Sequence, residues 1–185
     1  MVKRKEASSK SVYGINPSHE REEKHTLSIL VDNEPGVLAR VIGLFSGRGY
    51  NIESLSVSET DPLNNLSRIT VISTGTPLTI EQIKNQLDRL VPVHRVTDLT
   101  LEGEHVEREL ALVKVNGIGE KRLEAMHTAD IFRARVVDST LESFVFEVTG
   151  SSAKVNAFID LMRGLGMIDV SRTGIAAMSR GARAI

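Results

Sequence analysis

Residues 25–58 read HTLSILVDNEPGVLARVIGLFSGRGYNIESLSVS, and the hydrophobic period changes twice along them. Leu27, Ile29 and Val31 alternate with polar neighbours, the period of a strand buried on one face. From Leu38 the spacing lengthens: Leu38, Val41, Ile42 and Phe45 fall at i, i+3, i+4 and i+7, one face of a helix. Pro35 suits the first helical position with Asn33 or Glu34 as N-cap, and Gly49 can take the left-handed conformation that closes a helix. Leu55 and Val57 then alternate with Ser54, Ser56 and Ser58 as a second strand.

Outward from this β-α-β unit the pattern completes itself and then repeats. DPLNN (61–65) is a turn, SRITVIST (67–74) a third strand, and Ile80, Ile83, Leu87 and Leu90 mark a second helix before a fourth strand from His94 to Leu101. RELALVKV (108–115) opens the second half as a strand, and GEKRLEAMHTADIF (119–132) comes next as a weakly periodic helix. Ala134 and Val136 begin the next strand, and Phe144, Phe146 and Val148 alternate in the one after it. The closing helix shows one clear apolar face of Val155, Phe158, Ile159, Met162 and Leu165, and Ile168 and Val170 start the last strand. Both halves read βαββαβ, the ferredoxin-like order, in which a four-stranded antiparallel sheet carries two helices on one face. The fold class is therefore α+β, with two consecutive ferredoxin-like domains over 25–102 and 108–185. The charged stretch EGEHVERE (102–109) is the junction. Residues 1–24 read as a flexible, solvated N-terminal tail, whose basic cluster Lys3, Arg4 and Lys5 is diluted by Glu6 and EREEK.

Composition removes several function classes. The 23 basic and 24 acidic residues leave a formal net charge of -1, so no global field favours nucleic acid or an anionic membrane as partner. Absence of cysteine rules out disulfides, thiolate nucleophiles and cysteine-ligated metals, and fits a cytoplasmic location. No apolar run approaches the ~18 residues of a spanning helix. Aromatic residues make up 4%, and the central strands SLSVSE and RITVIS lack the stacking side chains of an RNA-recognition module.

Catalysis finds little to work with. His19, His25, His94, His105 and His127 include no two at the spacing of a metal pair, and no serine stands in a G-x-S-x-G context. The turn after the first strand, DNEPG, is acidic and lacks the arginine of an acylphosphatase-like anion loop. Gly43 and Gly47 fall within or at the end of a helix instead of ahead of it, and Gly117 and Gly119 form a strand-to-helix turn. The first helix offers more: amides of Gly36, Val37 and Leu38 at its positive end can receive a carboxylate. Asn33 and Asn51 carry amide oxygens that can accept from an ammonium group, and Leu38 and Ile52 can form an apolar wall. Those are the parts of an α-amino acid site. NEPG is also a good capping sequence with no ligand, and spacing leaves both readings open.

The stretch LVDNEPGVLARVIGLFSGRGYNIESLSVSETD (30–61) resembles an ACT domain. GLFSGRGYNIESL, LVPVHRV, EHVERELALVKV and ADIFRARVVD are similar in order to the regulatory small subunits of acetolactate synthase, also called acetohydroxyacid synthase, across both halves. The resemblance implies a homodimer through paired ACT domains, with the effector valine between chains at Asn33, Gly36, Val37 and Leu38 of one and Asn51 and Ile52 of the other. It implies a chain that performs no chemistry and binds no cofactor, but activates a catalytic large subunit carrying thiamine diphosphate, Mg and FAD. That large subunit joins two pyruvates, or pyruvate with 2-oxobutyrate, and the small subunit confers end-product inhibition on branched-chain amino acid biosynthesis. The second half resembles the family's carboxy-terminal domain, which contributes to dimerisation and complex formation. The 24-residue leader is longer than the family's usual start, and DPLNNLSR falls where loop length varies. An alternative keeps the fold and makes the chain an amino-acid-sensing ACT protein for another enzyme or a transcription regulator.

Overall fold

The computed structural model describes residues 21–182. The chain runs β1 (Glu23–Asp32), α1 (Val37–Ser46), β2 (Ser54–Asp61), β3 (Leu66–Gly75), α2 (Pro77–Leu87) and β4 (Val93–Asp98). It continues through β5 (His105–Asn116), α3 (Glu120–Phe132), β6 (Arg135–Ser139), β7 (Ser143–Gly150), α4 (Ser152–Gly164), β8 (Met167–Arg172) and β9 (Ala176–Ser179). Strand order is β2-β3-β1-β4 in one antiparallel sheet and β6-β7-β5-β8 in the other, the ferredoxin-like arrangement in both halves.

Period-2 alternation decides which face of each sheet the helices cover. Leu27 and Ile29 on β1 stand opposite Val71 and Ile69 on β3. With Val31 and Val96 they are covered by Val37, Val41 and Phe45 of α1 and Ile80, Ile83 and Leu87 of α2. In the second sheet Ala111, Val113 and Val115 pack with Phe144, Phe146 and Val148 under Val155, Phe158, Ile159 and Met162 of α4. Helix α3 buries only Ala125 and Ala129, which explains why its period is faint in the sequence. A third, smaller core joins the domains: Ile72 and Leu99 of the first pack with Ile175 and Ala177.

The structure corrects the sequence reading at several boundaries. Helix α1 starts at Val37 with Gly36 as N-cap, so Pro35 belongs to the turn before it. Its buried face is Val37, Val41 and Phe45, whereas Leu38 is 36% exposed. The apolar arc of this helix is wide, and the sheet takes its valine edge. Strand β4 ends at Asp98 instead of Leu101, because Asp98 Oδ1 accepts the amides of Thr100 at 3.0 Å and Leu101 at 3.4 Å and bends the chain. Asp98 Oδ2 lies 2.8 Å from His25 Nδ1, and both side chains are buried.

The junction is shorter than the charge pattern suggests, since β5 begins at His105 inside EGEHVERE. Ile168 and Val170 do not start the last strand: β9 comes after β8 and pairs with the first part of β5, His105 opposite Ser179 and Arg108 opposite Ala176. Four residues with Gly174 before them and Gly181 after are too short a run for alternation to show. Of the tail read over 1–24, residues 1–20 lie outside the described residues, and Glu23 and Lys24 already belong to β1. Among the described residues no helix is long and apolar enough to cross a membrane.

Candidate effector site

The loop Asn33–Gly36 is held from the neighbouring hairpin. Asp61 accepts from the amides of Leu63 and Asn64 and from the Asn64 side chain, fixing the β2–β3 turn. Those bonds, the Asn64 side chain first, hold the Asp61 carboxyl below its usual range. Asn65, at φ 54 in the same turn, receives the Asn33 N–H on its carbonyl at 2.7 Å and donates its side chain to the Asn33 carbonyl at 3.3 Å. Asn33 Nδ2 in turn donates one N–H to Glu59 Oε1 at 3.1 Å, which sets the orientation of the amide and with it the direction of its acceptor Oδ1. Spacing did not single out Glu59 and Asn65, which lie 26 and 32 residues from Asn33; only the hairpin register brings them near.

Gly36 at φ 87 then turns the chain into α1 with no side-chain cap and no acidic residue in the first turn. A Cβ at Gly36 would meet nothing within 4 Å, so the space in front of this helix end is open. The Val37 N–H reaches back to the Glu34 carbonyl at 3.3 Å, a long turn bond, and the amides of Leu38 and Ala39 complete the first turn. The exposed Leu38 side chain stands beside them.

Asn51 and Ile52 sit beyond the other end of α1. The Asn51 carbonyl accepts from Ser73 Oγ at 2.8 Å, and Ile52 packs partly buried on the first core. Next to them, the Glu53 carboxylate is held below its usual range, first by a hydrogen bond from Thr74 and then by Lys24, 3.1 Å away. Ten helical residues at ~1.5 Å each put about 15 Å between the two groups. The candidate residues of one chain therefore fall into two separate groups, the candidate half-sites Asn33, Gly36, Val37 and Leu38 at one end of α1 and Asn51 and Ile52 at the other.

Comparison with known proteins matches residues 27–95 to the AHAS small subunit-like ACT domain and residues 108–181 to the small subunit of acetolactate synthase. The chain belongs to the acetolactate synthase small-subunit family. It is 49% identical over 158 residues to the probable acetolactate synthase small subunit of Archaeoglobus fulgidus, covering 85% of this chain and 98% of that one. To the isozyme 3 small subunit of Escherichia coli it is 44% identical over 159 residues, 85% of this chain and 96% of that one. The crystal structure of the small subunit from Thermotoga maritima superposes with a TM-score of 0.79 at 40% identity, covering 87% of this chain and 99% of that chain. This member of the family thus has the make-up of a regulatory subunit, an ACT domain followed by the family's carboxy-terminal domain.

Proposed function

We propose that this chain is a non-catalytic regulatory subunit which binds valine between two paired ACT domains, activates an acetolactate synthase large subunit and makes it subject to end-product inhibition. The observation that carries this reading is the uncapped start of α1 at Gly36. An unpaired helix end is electropositive and carries free amides, so the carboxylate of an amino acid supplies what the sequence withholds. Asn33 Oδ1 takes the ammonium group and Leu38 the branched side chain. Asn51 and Ile52 of the partner subunit close the site, because within one chain they lie too far from Gly36 to touch the same small molecule. The thiamine diphosphate, Mg and FAD of the reaction belong to the large subunit in this reading, and the homodimer forms by ACT pairing.

Binding shifts the population of the dimer toward the arrangement that holds valine better, and a coupling of ~1–3 kcal/mol is enough to change activity many-fold. The test is a thermal-unfolding screen of the purified chain against the twenty amino acids, followed by reconstitution with a large subunit. A ligand at ~100 times its dissociation constant should stabilise the fold by ~2.7 kcal/mol, with the shift confined to valine and its close relatives. A shift for unrelated amino acids alone, with no thiamine diphosphate enzyme co-purifying, would move the assignment to a sensor for another enzyme or a transcription regulator.

A further inference from the structure

The serines of β2 face away from the helices, and two of them grip the far end of the chain. Ser54 Oγ accepts the Ile175 N–H at 2.9 Å, and Ser56 Oγ donates to the Ile175 carbonyl at 2.8 Å. The Ile175 side chain is 3% exposed and packs with Ile72, Leu99 and Ala177. Gly174, at φ 78, brings the main chain so close that a Cβ would stand 2.8 Å from the Leu55 carbonyl oxygen. On either side of this grip the same segment is bonded to the second domain, through Thr173 N–H to the Leu110 carbonyl at 3.0 Å and through β9 to β5.

We propose that the Ser54 and Ser56 hydroxyls, holding the main chain of Ile175, form the clamp through which an effector at Asn51 and Ile52 acts on the second domain. The inference rests on the valine reading and adds to it the route of regulation. Ile52 is two residues from Ser54, and the corner between them has a second connection: Glu53 N–H donates to the Ile72 carbonyl at 2.9 Å, while the Ile72 side chain packs on Ile175. A displacement of residues 51–53 reaches Ile175 along the chain through Ser54 and across the sheet through Ile72. Packed and hydrogen-bonded groups of this kind carry coupling when they have two arrangements that a ligand distinguishes. Ser54 and Ser56 are positioning residues here, since neither belongs to the half-sites.

Hydrogen exchange on the full-length dimer, with and without valine, tests the clamp directly. Valine should change exchange at Ile175 and along Ala176–Ser179 in the parent, and the Ser54→Ala/Ser56→Ala double variant should lose that response while binding valine with the parent's affinity. Reconstituted with a large subunit, the double variant should lose most of its inhibition even at saturating valine, the fold-inhibition falling by at least about fivefold, the low end of the 5–150-fold span of ordinary coupling energies. Gly174→Ala, whose Cβ would press on the Leu55 carbonyl oxygen at 2.8 Å and on Ser54 Oγ at 3.1 Å and so push the segment off β2 with both serines still in place, should uncouple in the same way. Unchanged exchange at Ile175–Ser179 in a valine-bound parent, or full inhibition of both variants, would overturn the clamp and leave the effector site standing. A parent that binds no valine would overturn the site itself, and this inference with it.

Discussion

After β1 the chain runs Asn33, Glu34, Pro35, Gly36 into α1, and from Asn116, the last residue of β5, it runs Gly117, Ile118, Gly119 into α3. In both turns the last glycine has a positive φ, 87 and 65, and neither helix has a side-chain cap. In both, a loop N–H is taken by the neighbouring hairpin, Asn33 to the Asn65 carbonyl at 2.7 Å and Gly117 to the Glu142 carbonyl at 3.2 Å. The two helices differ in their first turns. Helix α3 opens with Glu120, whose carboxylate compensates the positive helix end, whereas α1 opens with Val37 and has no acid in its first turn. Arg122 lies 3.7 Å over the Phe144 ring and donates to the Thr140 carbonyl at 2.8 Å, closing the second turn from within. One topology thus gives one helix start compensated by its own chain and one that the chain leaves without cap or acid.

The largest effects should come from the two cores. Ile69 and Phe146 occupy matching positions, opposite Ile29 on β1 and Val113 on β5. Phe146→Ala should cost ~3–5 kcal/mol and Ile69→Ala ~2–5 kcal/mol, measured by urea unfolding. Because Ile72, Leu99, Ile175 and Ala177 form a core shared by both domains, each variant should shift a single transition. Two transitions, of which each variant moves only one, would mean the domains unfold independently.

The comparison of the two turns is sharpest with one substitution made in both. Cβ atoms at Gly36 and Gly119 meet open space, and both positions have positive φ; Gly36, at ψ -9, lies in the left-handed helical region, where aspartate incurs roughly 1–2 kcal/mol of backbone strain, and Gly119, at ψ -130, lies outside it, where the strain is larger. Gly36→Asp also puts a carboxylate where the ligand's own should sit, removing charge-assisted hydrogen bonds worth ~1.5–3 kcal/mol. Calorimetric titration should show valine bound about 10–100-fold more weakly to Gly36→Asp, and unchanged on Gly119→Asp. Equal losses would assign the effect to strain and not to the site.

The same contrast shows what was legible in the sequence. The helix-covered faces of both sheets follow from alternation of Leu27, Ile29 and Val31 and of Phe144, Phe146 and Val148, since burial on one face imposes the period. Asn33, Gly36 and Leu38 could be singled out because a helix end has local chemistry. Glu59 and Asn65, which hold Asn33, could not, because their contact depends on hairpin register. Glu109 looked like linker charge, yet it is buried against Arg172, 63 residues away, with both oxygens 2.7 Å from the guanidinium. Leu38 reads as part of the buried face because hydrophobicity alone does not tell a core side chain from an apolar one that stays exposed.

That ion pair makes a smaller, pH-dependent test. Hydrogen bonds from Arg172 hold the Glu109 carboxyl below its usual range, and Thr74 and Lys24 do the same for Glu53. A carboxylate with a lowered folded-state pKa adds stability above its unfolded value of about 4.3, and that contribution is lost as pH falls through the folded value. Melting temperature should therefore drop on the acid side of about pH 4.3. Glu109→Gln should flatten that acid limb more than Glu53→Gln, because the Glu109 side chain is 4% exposed and that of Glu53 33%. Identical limbs in both variants would remove the distinction.

The smallest effects concern the helices that do carry caps. Thr76 Oγ1 accepts the Thr79 amide at 3.3 Å ahead of α2, and Ser151 Oγ accepts the Lys154 amide at 3.4 Å ahead of α4. Both bonds are long, so Thr76→Ala and Ser151→Ala should each lower stability by only ~0.5–1 kcal/mol, toward the bottom of the range for a lost cap. Neither should alter valine binding, because these two helix ends are satisfied within the chain and present nothing to a ligand. The four helix starts then divide by what the chain gives them: a hydroxyl at α2 and α4, the Glu120 carboxylate at α3, and neither cap nor acid at α1, the start that the proposed function assigns to the effector carboxylate. If Thr76→Ala weakened valine as much as Gly36→Asp, the open start of α1 would not be what makes the first domain the sensing one.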